Sequence, residues 1–64
     1  MKVVKEIASP KYVVEEAEET IDNGAISNVQ WYGIKGFDNL SDAEEYAAKK
    51  VRDRPATRYR IIEN

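Results

Sequence analysis

The sequence predicts an α/β (α+β) fold of β-α-β-α-β order, with a three- or four-stranded sheet carrying two helices on one face. Three observations lead there. Residues 29–37 and 57–63 are rich in β-branched and aromatic side chains, the composition of strands. Between them, Ser41-Asp-Ala-Glu44 has the spacing of a capping box, and apolar residues follow it at helical intervals. Ahead of them, Ser9-Pro10 precedes Val13, Ala17 and Ile21, which recur every four residues.

Taken in order, residues 2–8 alternate in polarity and place Val3, Val4 and Ile7 in a first strand. Ser9 then supplies an N-capping hydroxyl and Pro10 a first helical residue, which opens a helix. Its apolar stripe is Val13, Ala17 and Ile21, and the acids Glu15, Glu16, Glu18 and Glu19 fall mainly on the other side. Asn23-Gly24 ends it, since glycine accepts the left-handed conformation of a helix terminus. The same dipeptide is also a two-residue hairpin signal, and Tyr12, Val13, Val14 and Thr20 suit a strand. The Ser-Pro start and the Glu/Ala content favour the helix.

Residues 29–37 form a central or long strand, with Val29, Trp31 and Phe37 on one parity and Tyr32 and Ile34 on the other. Gly33 and Gly36 mark a bulge or a close approach of backbone. Asp38-Asn39 turns the chain, Ser41 caps a second helix, and Leu40 staples onto its first turns. Ala43, Tyr46, Ala47 and Val51 make its buried stripe, and Lys49, Lys50 and Arg52 suit its negative C-terminal end. Pro55 stops that helix. In the last strand Tyr59 and Ile61 face one way, Arg58, Arg60 and Ile62 the other.

The chain has 64 residues, and no repeat or linker divides it, so residues 1–64 make a single domain. It contains no Cys and no His, which removes disulfides, imidazole or thiolate ligation, and the commonest general base and thiol nucleophile. Ser9, Ser27 and Ser41 have no partner base, and the Glu pairs need a cleft that so short a chain rarely encloses. The expectation is a protein without catalytic residues, cofactor or metal site. Asp38, Asn39, Asp42 and Glu45 gather oxygens near one turn, but turn chemistry and capping account for them. Gly33-Ile-Lys-Gly36 spells the G-x-x-G of a nucleic-acid clamp, yet it lies in a strand-like run rather than between helices. No run approaches the roughly 20 apolar residues of a membrane span. With no signal-like stretch, the expected location is cytoplasmic.

Charge carries the remaining information. The net charge is −2, with acids concentrated at Glu15 to Glu19 and six bases between residues 49 and 60. Arg58, Arg60 and Lys35, with Trp31, Tyr32 or Tyr59 beside them, could share an exposed sheet face suited to stacking bases. The bland reading packs the aromatics under helices and pairs the arginines with acids. The acidic stripe could mimic phosphates and enter a basic groove on another protein, or be a solvated helix face.

Trp31-Tyr-Gly-Ile-Lys-Gly-Phe-Asp-Asn-Leu-Ser-Asp-Ala-Glu-Glu-Tyr-Ala, followed by Thr57-Arg-Tyr-Arg-Ile-Ile-Glu63, resembles the strand–helix–strand cassette of small bacteriophage accessory proteins, some of them anti-CRISPR or other host-takeover inhibitors. The resemblance covers residues 31–63 and rests on generic motifs. It implies a compact protein that binds and blocks a larger host complex, and it transfers no site residue. The leading expectation is therefore a non-enzymatic protein-binding module, a phage-encoded inhibitor of a host nucleic-acid-handling or defence complex. Its contacts are Glu15, Glu16, Glu19, Trp31, Tyr32, Arg58 and Arg60. The alternative is a small RNA- or DNA-binding domain using the basic and aromatic sheet face and residues 49–60, and a homodimer stays open.

Overall fold

The computed structural model describes Lys2 and residues 10–64, and the strand expected over residues 2–8, with the Ser9 cap, lies outside them. Among the described residues, three antiparallel strands and one helix follow in the order β-β-α-β. They are β1 Tyr12–Asp22, β2 Ala25–Phe37, α1 Leu40–Asp53 and β3 Tyr59–Glu63. Among the described residues the sheet order is β2-β1-β3, so β1 is central; β2, expected as a central or long strand, is the longest at 13 residues and lies beside β1 alone.

The expected first helix does not form, and the β-α-β-α-β order with two helices falls with it: its residues are β1. The reason lies in the arithmetic of spacing. Val13, Ala17 and Ile21 are four apart, which is about one turn of helix but also an even number, so they share one face of a strand equally well. Long-range pairing decides between the two. Val14 sits between Lys35 of β2 and Ile61 of β3 and has no exposed surface, a cover that only a central strand receives. Asn23 and Gly24 have φ of 52° and 78°, two successive left-handed residues that turn the chain back as a hairpin instead of ending a helix.

Register follows the hairpin, from Asp22 opposite Ala25 to Tyr12 opposite Phe37. Two irregularities lie on β2, where Ser27 and Ile34 are passed over while β1 runs on regularly. The second one separates residues that simple alternation puts together. Trp31 pairs with Ala17 and Phe37 with Tyr12, so the two aromatics point to opposite faces, not to the shared face expected. Gly36 is the close approach that its lack of a side chain allows, because Pro10 occupies the space a Cβ would need.

The second expected helix is α1, with a different cap. Asn39 is the capping residue, its Oδ1 accepting both the Ser41 N–H at 2.9 Å and the Ser41 hydroxyl at 2.7 Å. Ser41, expected as the cap, lies inside the first turn, and Leu40 is 43% exposed. Arg54 closes the other end, its N–H donating to Lys50 O, directly before Pro55. Ala43 is fully buried with Tyr46 and Ala47 half-buried, but Val51, expected in this stripe, is exposed. Phe37 and Tyr46 meet at 5.4 Å, and the Lys35 ammonium stands over both rings.

β3 pairs with β1 only as far as Tyr59 opposite Glu16, and the Ala17 N–H then bonds to Arg58 O at 2.9 Å. Beyond that point β1 and β2 run on as a two-stranded ribbon. No helix among the described residues is long and apolar enough to cross a membrane.

Candidate functional site

Because β1 alternates without interruption, its even residues face the helix and its odd residues face away. The seven candidate contact residues divide on that line. Glu16 and Tyr32 lie on the helix side, whereas Glu15, Glu19, Trp31, Arg58 and Arg60 lie on the helix-free side. The acids of Glu15 to Glu19 therefore form no single stripe, as they would have on a helix.

On the helix-free side, Arg60 is the centre of a connected set. Its Nε donates to Glu15 Oε1 at 2.7 Å, and its guanidinium stands 4.2 Å from the Trp31 ring centroid. Arg58 lies 5.7 Å from the same ring and 3.6 Å from Glu19. Each arginine thus has a carboxylate of β1 and the face of one indole, a geometry in which planar guanidinium stacks well. Lys35, expected beside them, is on the other side with Phe37 and Tyr46. Around these ion pairs the face is apolar: Val13 opposes Gly36 and Ile62, Ala17 opposes Trp31, and Ile21 opposes Ile26. Ile21 and Ile26 are 64% and 52% exposed.

On the helix side, Glu16 accepts the Tyr59 hydroxyl at 3.2 Å and lies 3.5 Å from Arg54. Burial first, and then the bond and charge of Glu16, push the Tyr59 pKa above its ordinary value. Past this row, among the described residues, the helix-side positions of the ribbon are exposed. Tyr32 is 47% exposed, its hydroxyl donating to Gln30. Glu18 and Asp22 follow at even positions of β1, both exposed. Residues 17–31 hold Glu18, Glu19 and Asp22 and no Lys or Arg, so the ribbon is acidic.

Sequence reasoning missed Glu18, Asp22, Gln30, Ile21 and Ile26 as surface features of one ribbon. The signal that finds them is Asn23-Gly24 read as a turn. A groove of about 330 Å³ between Phe37 and α1 is lined by Asp42, Glu45, Tyr46, Lys49 and Arg52. Its two acids and two bases follow helical spacing along one stripe and balance in charge. Comparison with protein-family models, with curated proteins and with solved structures found no match to the chain.

Proposed function

We propose that the chain is a non-enzymatic protein-binding module that presents the helix-side face of its acidic ribbon to a protein partner with a basic surface. The observation that carries this is Tyr32, half exposed at the root of a projecting hairpin whose distal residues bear two acids on the same face, Glu18 and Asp22, and no base. A tyrosine beside adaptable polar groups is a frequent anchor of binding energy, and the acids steer a basic partner towards it. Proteins that handle nucleic acid carry such basic surfaces. A phage-encoded inhibitor of a host nucleic-acid-handling or defence complex, acting in the cytoplasm, is the form of this reading that the resemblance of residues 31–63 suggests. Nucleic-acid binding is the weaker alternative, because Arg58 and Arg60 already hold carboxylates and cover Trp31.

The test is capture from a bacterial lysate by the immobilised chain, compared with Tyr32→Ala and with the pair Glu18→Lys, Asp22→Lys. The expected result is a stoichiometric protein retained by the parent chain, released by salt and lost by both variants. No stoichiometric protein, or one held equally by the variants, would overturn the reading. A salt-dependent mobility shift abolished by Arg58→Ala with Arg60→Ala would replace it with the nucleic-acid one.

A further inference from the structure

We infer that the helix-free face of the sheet is covered by a second copy of this chain, in a face-to-face dimer. The first ground is the size of the core. Among the described residues only Val14 and Ala43 are buried, and no disulfide or His/Cys metal site can compensate. Meanwhile Ile21 and Ile26, 64% and 52% exposed, share the helix-free face with half-buried Val13, Ala17, Val29 and Trp31. A contiguous apolar face with exposed members marks an interaction site. A cover that completes a marginal core must be present wherever the chain is made, and another copy of the chain meets that requirement.

Charge and area agree with a self-interface. The ionised groups of the face are two acids and two bases, Glu15 with Arg60 and Glu19 with Arg58, so the face is neutral. Under a two-fold axis the same patch meets itself, and rows of alternating sign let the arginines of one copy approach the carboxylates of the other. Eleven residues of β1 make a strip about 34 Å long at ~3.4 Å per residue, and two to three strands make it about 10–14 Å wide. Pressing two such strips together removes a footprint of roughly 700–950 Å², close to the ~1,000 Å² at which specific interfaces begin. The face is favoured over the outer edge of β2, because irregularities at Ser27 and Ile34 and the charge of Lys35 disfavour strand addition there.

This inference does not depend on the partner proposed above, which uses the opposite side of the ribbon. The test is sedimentation equilibrium of the full chain from micromolar to near-millimolar concentration, with Trp31 emission followed in parallel. The expected result is a doubling of mass with a blue shift of Trp31. Val29→Lys should weaken the dimer about tenfold or more by burying an unpaired charge, while Thr20→Lys, on the other face, leaves it unchanged. Circular dichroism of each variant establishes that the sheet is retained, and Ile26→Lys serves where Val29→Lys unfolds. A monomer at every concentration would overturn the inference, as would a dimer that withstands both lysine substitutions. A monomer whose Trp31 becomes exposed on removal of residues 1–9 would assign the face to the chain's own N-terminal segment and overturn it likewise.

Discussion

The Arg60 guanidinium lies 4.2 Å from the centre of the Trp31 ring while its Nε holds Glu15 at 2.7 Å. Three strands meet in that contact: Arg60 comes from β3, Glu15 from β1 and Trp31 from β2. The Glu15 side chain is only 14% exposed, so the pair is screened less than an ordinary surface ion pair. It works as a clasp between strands distant in sequence.

Arg60→Ala is expected to lower stability by about 1 kcal/mol, from the lost stacking and the stranded Glu15 carboxylate together. Glu15→Gln should cost less, since the amide oxygen still accepts from Arg60. Urea unfolding followed by circular dichroism measures both, and a red shift of Trp31 emission in Arg60→Ala reports the uncovered ring. An Arg60→Ala variant as stable as the parent, with unchanged emission, would remove the clasp.

The turn makes a second prediction. Gly24 has φ of 78°, a conformation that a Cβ disfavours, although nothing lies within 4 Å of the position a Cβ would take. Gly24→Ala is therefore expected to cost about 1 kcal/mol through backbone strain alone. Had residues 10–23 been helical with Gly24 as terminator, the same change would lower the helical signal. Here the 222 nm band, which comes from α1, should keep its folded intensity. Unfolding curves and folded-state spectra of the variant distinguish the two outcomes.

Tyr59 sets a pH limit. Its pKa is raised by burial and by the Glu16 carboxylate, so the folded state holds the phenol proton more tightly than the unfolded chain does. The associated stability is fully present below the unfolded value near 10.0 and is lost as pH rises through the folded pKa. The melting temperature of the parent chain should fall more steeply above pH 10 than that of Tyr59→Phe, which has no proton to lose. Parallel slopes in the two proteins would show that Tyr59 is not the group responsible.

Two elements of the fold were legible residue by residue, although its order was not. The helix over 40–53 followed from its local spacing, although its cap moved from Ser41 to Asn39 because Asp, Asn and Ser all satisfy a free N–H and only backbone geometry selects among them. The last strand followed from Thr57-Arg-Tyr-Arg-Ile-Ile, including the division of Tyr59 and Ile61 from Arg60 and Ile62. Of the candidate site, the pairing of arginines with acids and aromatics was foreseeable as chemistry. Which acid met which arginine was not, since Glu15 and Arg60 are 45 residues apart.

By itself, then, the sequence determined the residue chemistry present, the helix after Asn39, and the strand character of residues 29–37 and 59–63, and it marked Asn23-Gly24 as a break without deciding between helix end and hairpin. Those are local properties, set by side-chain sterics and short-range hydrogen bonding. Tertiary structure alone decided that residues 12–22 are the central strand, that Trp31 and Phe37 part company across the sheet, and that the acids of β1 split between two faces. A spacing of four residues fits helix and strand alike, and an inserted residue such as Ile34 reverses every later side chain, so only the pairing of distant strands selects one arrangement.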